Sequence, residues 1–336
     1  MLAAFITALG GPDLTPAEAA VLRAARPCGI ILFARNVRDP QQTLRLTQAA
    51  RAAVDDDILV LIDQEGGRVR RLRPPHWREL PAAAAYGRLY GDDSRAACRT
   101  ARLAARLTAQ ELRAVGINTN CAPVLDVPVA GSHDIIGDRA YGTAPEQVCD
   151  LGLAVAEGFM AGGVLPVIKH IPGHGRATKD SHLDLPVVSA SRAELEGTDF
   201  GAFRRLAHLP AAMTAHVVFS AIDTDLPASV SPRVTAEIVR GAIGFDGLLM
   251  SDDLGMKALT GDIGSRARAV IAAGSDLALV CSGDLADTEA VAAVVPQLGG
   301  AALGRFERAR AVFGQQEPFD VAQAEAGLER ALRTHA

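Results

Sequence analysis

Eight short apolar runs, each four to seven residues long, recur along the chain and are separated by longer amphipathic segments. Short continuous apolar runs are typical of parallel strands that are covered on both faces. We therefore predict eight buried strands, at Ala3–Leu9, Gly29–Phe33, Ile58–Ile62, Ile117–Ala122, Leu165–Ile168, Ala211–Ala215, Gly247–Met250 and Asp276–Val280.

The segments between the runs space their apolar residues as helices do. Thr15 is a favourable N-cap and Pro16 suits the first helical position, so a helix is predicted to begin there. The predicted helices are Thr15–Ala25, Pro40–Val54, Ser94–Val115, Pro145–Ala161, Ser191–Leu206, Pro232–Ala242, Ser265–Ala273 and a C-terminal region from about Leu285. Arg71–Gly87, which contains three prolines, and Pro172–Ser189 are predicted to be long loops.

An alternation of strand and helix that repeats eight times predicts an α/β fold, the (β/α)8 TIM-type barrel. A doubly wound open sheet is the alternative, but it does not naturally contain eight such units. No linker or low-complexity segment divides the chain. Residues 1–336 are therefore predicted to form a single barrel domain with a helical C-terminal region.

Polar residues are concentrated where the apolar runs end. Seven runs end at or are followed by such residues, namely Asn36, Asp63, Asp126, Lys169–His170, His216, Asp252 and Ser282. The carboxyl ends of barrel strands converge on one face, where active sites form. Ordinary exposure of strand ends explains one or two polar residues, but seven favour a catalytic face.

The segment VIKHIPGHGRATKDSHLDLP is unusually rich in titratable side chains. Lys169, His170, His174, Asp180 and His182 fall within fourteen residues. Asp180 precedes His182 by two residues, so a turn lets its carboxylate reach the imidazole, fix the tautomer and raise the basicity. The glycines on either side of His174 are expected to let this loop bend and move. Such a density of groups favours catalysis or metal binding.

Zinc binding is the main alternative for the same segment. His170, His174 and His182 could ligate the metal, with Asp252 as a fourth ligand. The i, i+4 spacing of the first two histidines would suit a helix, but Pro172 and its neighbouring glycine disfavour one. We predict no metal and no cofactor, and a metal-dependent hydrolase on the same barrel stays an open alternative.

Carboxylates also end the apolar run in GFDGLLMSDDLGMKAL. A carboxylate at a strand tip has little freedom, which suits a nucleophile that must be held in line with a reacting carbon, and Asp252 is the candidate. Asp253 is expected to cap the helix that follows. In LIDQEGGRVRRL, Asp63 could accept hydrogen bonds from hydroxyl groups, and Arg139 of IIGDRAYG could bind a hydroxyl or carbonyl group.

Taken together, these segments resemble the family-three glycoside hydrolases, in their NagZ-type, single-domain β-N-acetylhexosaminidase branch. The resemblance runs from GIILFARN to FDGLLMSDDLGM, and KHIPGHG, DSH and SDDL are its most specific motifs. It implies that Asp252 is the nucleophile and that His182 is the general acid/base, with Asp180 as its partner. The residues expected to bind substrate are Asp63, Arg71, Arg139, Lys169, His170 and, with a secondary role, His216.

The resemblance implies a retaining exo-β-N-acetylglucosaminidase that forms a covalent glycosyl-enzyme. Its expected substrates are peptidoglycan fragments, GlcNAc–1,6-anhydro-MurNAc peptides, in cell-wall recycling. Relatives that act on plain glucosides usually have a second α/β domain with a carboxylic general acid, and this chain is expected to lack one. Phosphorolysis and a non-catalytic sugar-binding role stay open as alternatives.

Charge and composition argue against nucleic acid and a membrane as partners, and the predicted partner is a small-molecule substrate. The net charge is −5, with acidic and basic residues mixed, which excludes the basic face of a nucleic-acid-binding protein. No run approaches the roughly 20 apolar residues of a membrane span, and MLAAFITALGG is predicted to be a buried strand rather than a signal peptide. Five scattered cysteines without a CxxC pair favour a reducing cytoplasm.

Overall fold

Parallel strands form the centre of the molecule. The computed structural model describes residues 1–55 and 57–333. Its strands are β1 (Ala3–Ala8), β2 (Pro27–Leu32), β3 (Leu59–Ile62), β4 (Thr119–Asn120), β5 (Leu165–Pro166), β6 (Ile168–Ile171), β7 (Val187–Val188), β8 (Ala211–Thr214), β9 (Val218–Phe219), β10 (Leu248–Asp253) and β11 (Leu277–Val280). Nine of them form one sheet in the order β5-β4-β3-β2-β1-β11-β10-β8-β6.

The two ends of this sheet meet, because β5 and β6 are separated only by Val167. β5 pairs with β4 on one side, and β6 pairs with β8 on the other. The two short strands therefore occupy one position, and nine strands fill eight positions of a closed ring. All of these pairings are parallel, so the predicted (β/α)8 barrel is confirmed.

Helices surround the sheet, and several of them begin at a side chain that caps the first turn. They are α1 (Pro16–Ala25), α2 (Pro40–Val54), α3 (Ala83–Asp92), α4 (Ser94–Ala114), α5 (Pro145–Ala161), α6 (Arg192–Gly197), α7 (Asp199–Arg205), α8 (Ile263–Ala272), α9 (Leu285–Ala292), α10 (Gly300–Arg310) and α11 (Val321–Arg333). Thr15 accepts a hydrogen bond from the backbone N–H of Glu18, and the Glu18 carboxylate accepts one from Thr15 in return. Such a cap contributes about 1 kcal/mol. No helix of the described residues is long and apolar enough to cross a bilayer.

Alternating residues of the strands face opposite sides of the sheet. Leu59 and Leu61 pack in the cluster that fills the barrel, whereas Val60 and Ile62 pack outward against the helices. The same alternation places Met250 inside. Because the side-chain period of a strand is two, the first polar residue of matching parity beyond each strand faces the barrel axis.

Three local predictions differ from the structure, and one strand pairing was not predicted. Ser191–Leu206 forms two helices, α6 and α7, because the backbone breaks at Thr198. The helix predicted over Pro232–Ala242 is a π-helix at Val234–Ala242. The loop predicted at Arg71–Gly87 ends early, since α3 begins at Ala83. The pairing of β7 with β9 was not predicted, because strands of two residues have no readable period.

Candidate active site

A cavity of about 360 Å³ opens at the carboxyl ends of the barrel strands. Its apolar lining includes Ile31, Met213 and Leu279, which belong to the cluster inside the barrel. Its polar lining contains the side chains of Asp63, Glu65, Arg68, Arg71, Arg139, Lys169, His170, His174, Ser181, His182, Asp252 and Asp253. Seven of the nine predicted site residues are among them, and Asp180 and His216 are not.

Strand parity explains which polar residues reach this cavity. Asp63 follows Leu59 and Leu61 at the same parity, and Asp252 follows Met250. Lys169 stands two residues after Val167, which is also inside the barrel. Each polar residue therefore continues the inward-facing row of its strand, and the rows meet at the mouth.

A network of ion pairs forms one wall of the cavity. The Nζ atom of Lys169 lies 2.8 Å from Asp63 and 2.6 Å from Glu65. Arg71 donates to the second oxygen of Asp63 at 3.0 Å. Arg139 donates to both oxygens of Glu65, each at 2.9 Å. The two carboxylates thus have three cationic partners, in the forked geometry that guanidinium groups favour.

The network keeps its members charged. Burial raises the pKa of the Asp63 carboxyl, but Lys169 and Arg71 outweigh burial and hold that pKa well below its ordinary value. Burial lowers the pKa of Lys169, but the carboxylates of Asp63 and Glu65 together outweigh burial, so the net shift of that pKa is upward. Both groups therefore present full charges to a ligand at neutral pH.

Replacing Lys169 with methionine is expected to lower the free energy of unfolding by about 3–5 kcal/mol, because Asp63 and Glu65 would stay buried with one cation fewer. Urea titration of both proteins measures this difference. Lys257→Met is the matched control, because Lys257 is exposed and its loss should change stability by about 0.5 kcal/mol or less. Equal stability of the two variants would show that the network does not hold the wall.

Asp252 lies at the end of β10, and its Oδ1 accepts a hydrogen bond from the backbone N–H of Asp253 at 2.8 Å. Burial raises the pKa of the Asp252 carboxyl, but the nearby His170 and His216 together with this N–H outweigh burial and lower it. A half-buried carboxylate that stays ionised and has few hydrogen bonds is available to react with a ligand.

Asp253 does not cap a helix, which corrects the prediction for this residue. The next helix, α8, is capped by Asp262, nine residues later. One oxygen of Asp253 instead accepts hydrogen bonds from the backbone N–H groups of Gly255 and Cys281, both at 3.0 Å. Asp253 thereby ties the end of β10 to the segment that follows β11.

Asp126 organises the histidines at the base of the loop. Its Oδ2 lies 2.7 Å from Nδ1 of His170, and its Oδ1 accepts the backbone N–H of His174 at 2.7 Å. Burial raises the pKa of Asp126, but the contacts with His170 and His174 together outweigh burial and lower it, so the carboxylate stays charged. This contact fixes the ring of His170, which lines the cavity.

His182 and Asp180 form a pair at the cavity mouth. Nδ1 of His182 lies 2.7 Å from Oδ1 of Asp180, which also accepts the backbone N–H of His182 at 2.9 Å. Burial raises the pKa of Asp180, but these two hydrogen bonds outweigh burial, so the net shift of that pKa is downward. The His182 side chain is 60% exposed. The predicted turn is therefore formed, and His182 lines the same cavity as Asp252.

The glycines beside His174 pack tightly, contrary to the prediction that they let the loop bend. Gly173 has φ +140° and lies against Asp199, and Gly175 lies against the backbone of Val127. Both glycines are buried. The base of the loop is therefore closely packed, and its exposed part is the tip at residues 178–184.

Gly175→Ala is expected to lower the free energy of unfolding by about 1–3 kcal/mol, because the new Cβ would lie 2.2 Å from the carbonyl oxygen of Val127. Thermal unfolding of the purified variant measures the loss. At Gly197, in contrast, a Cβ has no neighbouring atom within 4 Å, so Gly197→Ala is the control and should match the parent. A Gly175→Ala protein as stable as this control would contradict the close packing.

His216 does not reach the cavity, which corrects its expected role in binding substrate. Its side chain is fully buried, with Nδ1 at 2.7 Å from Ser229 Oγ and Nε2 at 3.0 Å from the carbonyl oxygen of Asp253. Both ring nitrogens are thus occupied by protein atoms. His216 supports the end of β10 from behind.

The sequence of the chain matches the model of a known protein family. Residues 6–308 match the family model described as the glycosyl hydrolase family 3 N-terminal domain. This match covers far more than half of the chain. The chain belongs to glycosyl hydrolase family 3. The expected family is therefore confirmed.

Relatives place this family 3 chain among the β-hexosaminidases. It is 41% identical over 302 residues to a β-hexosaminidase of Alkalilimnicola ehrlichii, covering 89% of this chain and 85% of the relative. It is 40% identical to that of Pseudomonas aeruginosa, covering 90% and 89%. The structure of NagZ from Neisseria gonorrhoeae in complex with N-trifluoroacetyl-D-glucosamine superposes with a TM-score of 0.86, 33% identity, and 99% and 96% coverage.

Sequence reasoning assigned no role to Glu65 in this family 3 site, although the structure places it between Lys169 and Arg139. The sequence pattern could have indicated this role, because Glu65 stands two residues after Asp63 and is therefore expected to face the same side. The sequence also places Asp126 at a strand end, but it does not show that this carboxylate contacts two histidines. Those contacts depend on three-dimensional neighbours that no spacing reveals.

The histidines considered as metal ligands have protein partners instead. One nitrogen each of His170, His174 and His182 lies at hydrogen-bond distance from Asp126, Ser181 and Asp180, respectively. Among the described residues, no three His, Cys, Asp or Glu side chains are grouped to hold a metal ion.

We expect activity to be unchanged after EDTA treatment and dialysis. Loss of activity that zinc restores would favour the metal-dependent alternative.

Proposed function

We propose that this family 3 glycosidase removes terminal β-linked GlcNAc with retention of configuration. In this proposal, Asp252 is the nucleophile, His182 is the general acid/base and Asp180 is its partner. The observation that carries the proposal is that the Asp252 carboxylate and the imidazole of His182, which Asp180 holds, line a single cavity of about 360 Å³. Ligand pockets range from about 300 to 1,000 Å³, so this one suits a single sugar ring.

In the first step, the Asp252 carboxylate attacks the anomeric carbon while His182 gives a proton to the glycosidic oxygen. The bond to the leaving group breaks and a glycosyl ester of Asp252 forms. Retaining glycosidases usually use two carboxyl groups about 5 Å apart for these roles. Here imidazole takes the place of the second carboxyl group.

In the second step, neutral His182 removes a proton from a water molecule, and the oxygen of that water attacks the anomeric carbon. The ester breaks, Asp252 returns to its carboxylate form, and the sugar leaves in the β configuration. The contact with Asp180 leaves Nε2 of His182 to exchange protons and stabilises the imidazolium form. An imidazole can both give and accept a proton in the neutral pH range, which suits it to both steps.

The charged wall is proposed to bind the hydroxyl groups of the sugar. Within it, Asp63 accepts hydrogen bonds from Arg71 at 3.0 Å and from Lys169 at 2.8 Å. Arg139 and His170 extend the wall, and the carboxylates of Glu65 and Asp126 hold their side chains in place. A preformed wall of this kind binds a pyranose without reorganising when the substrate enters.

The substrates proposed are GlcNAc–1,6-anhydro-MurNAc fragments of peptidoglycan, in cell-wall recycling. Support comes from the resemblance of the KHIPGHG, DSH and SDDL segments to enzymes of that type. A cavity for a single ring with an exposed acid/base at its mouth fits removal of a terminal sugar from a larger leaving group. We further propose a cytoplasmic location and a single catalytic domain.

Incubation with GlcNAc–1,6-anhydro-MurNAc tests the proposal, with the first-formed sugar observed by NMR before it mutarotates. The expected product is β-GlcNAc. Appearance of α-GlcNAc would show inversion and would exclude a glycosyl ester on Asp252. Addition of phosphate should leave the rate and the product unchanged, and formation of GlcNAc 1-phosphate would instead favour phosphorolysis.

A further inference from the structure

The tip of the loop that carries His182 is anchored by one buried side chain. Within residues 178–184, Thr178, Lys179, His182, Leu183 and Asp184 are exposed. Ser181, between the two members of the proposed acid/base pair, is only 3% exposed. A polar side chain that is buried in an otherwise exposed tip is held there by a specific partner.

That partner is His174, whose Nε2 lies 3.0 Å from Oγ of Ser181. The other side-chain contacts of the tip stay within it, joining Lys179 to Asp184 and Asp180 to His182. Among the hydrogen bonds of the described residues, the contact to His174 is the one that joins the tip to the barrel mouth.

His174 is itself fixed in place. Its backbone N–H donates to Asp126 at 2.7 Å, and its ring lies edge-on to the His170 ring, with centroids 5.7 Å apart. Burial and the neighbouring His170 lower the pKa of His174 to about 4. It therefore stays neutral at working pH, with one nitrogen that donates and one that accepts. Its other nitrogen, Nδ1, is buried without a partner in the described structure.

We propose that the His174–Ser181 hydrogen bond positions the acid/base, by holding the turn of Asp180 and His182 over the cavity that contains Asp252. Ser181 acts through His182 and is a positioning residue. The inference rests on the proposed roles of Asp252 and His182, and it adds a residue pair to which no role has been assigned.

The physical reason is that a short exposed tip with few contacts samples many conformations. A catalyst that is competent in one conformation loses rate in proportion to the fraction of time spent in the others. A single hydrogen bond can shift such a population by about tenfold. Its removal should therefore lower the rate of proton transfer and leave binding of the sugar ring unchanged.

Ser181→Ala tests the inference. With an alkyl β-GlcNAc substrate, whose leaving group needs a proton, kcat is expected to fall about tenfold with KM nearly unchanged. Ser181→Thr keeps the hydroxyl group and should recover most of the rate. Amide hydrogen exchange at residues 178–184 is expected to become faster in the alanine variant. His174→Gln provides a second variant that retains a polar group facing Ser181.

A double variant separates positioning from other effects. In the His182→Ala background, Ser181→Ala should cause no further loss, because the group that it positions is already absent. An equal tenfold loss in that background, or normal kcat in Ser181→Ala, would overturn the inference while leaving the function intact. Normal kcat in His182→Ala alone would instead overturn the proposed function, and this inference with it.

Discussion

Replacing Asp252 with alanine is expected to lower kcat/KM for an aryl β-GlcNAc substrate by about 10⁴-fold or more. Loss of a nucleophile or its partners costs other hydrolases this much, since binding and electrostatic stabilisation alone remain. The carboxylate lies at the end of β10, lines the cavity and, among the described residues, accepts a hydrogen bond from the backbone N–H of Asp253. Removing it therefore disrupts few protein contacts, and the melting temperature should change little.

Sodium azide provides a positive test on the same variant. A small anion can occupy the space of the missing carboxylate and attack the anomeric carbon from that side. The Asp252→Ala protein should then recover turnover and release the α-glycosyl azide. Asp253→Asn is the neighbouring control, because an amide oxygen can still accept from Gly255 and Cys281, and it should lose far less activity. Near-normal turnover by Asp252→Ala without azide would reject the assignment.

Replacing His182 with alanine is expected to lower kcat by about 10²–10⁴-fold for substrates with poor leaving groups, which is the usual contribution of general acid/base catalysis. The loss should shrink in the glycosylation step for a dinitrophenyl leaving group, because that group departs without a proton. Rates for a series of aryl substrates, plotted against the pKa of each leaving phenol, measure this dependence. The slope should be steeper for the variant than for the parent.

Asp180→Asn is expected to have a smaller effect in the same direction, because an amide can still accept from the His182 imidazole but carries no charge to stabilise the imidazolium. His76→Ala is the control, since His76 is exposed and does not line the cavity. A His182→Ala protein whose leaving-group dependence equals that of the control would show that another group moves the proton.

The barrel could be read from the sequence because its strands are buried on both faces. Each of the eight apolar runs occupies one of the eight positions in the sheet, even where the strand is as short as Thr119–Asn120. The boundaries shifted where polar residues belong to strands. Lys169 and His170 lie inside β6, and Asp252 inside β10, so a rule that ends a strand at the first charge stops too early.

The candidate site was predictable to the extent that strand parity and local turns determine it. The Asp180–His182 contact spans two residues, and the sequence predicts it directly. The roles of Glu65 and Asp126 depend on partners more than forty residues away, such as Arg139 and His170. The tight packing of Gly175 against Val127 was likewise hidden, because glycine serves both close approach and flexibility.

The central claim is that Asp252 forms a covalent bond to the sugar. A 5-fluoro analogue of an N-acetylglucosaminyl fluoride tests it most directly, because fluorine at C5 slows both steps and the fluoride leaves readily, so the intermediate accumulates. Peptide mass mapping of the trapped protein should find one added sugar on the peptide that contains Ser251–Asp253, at Asp252. A label at any other residue, or active enzyme that turns over the analogue without a label, would contradict the account.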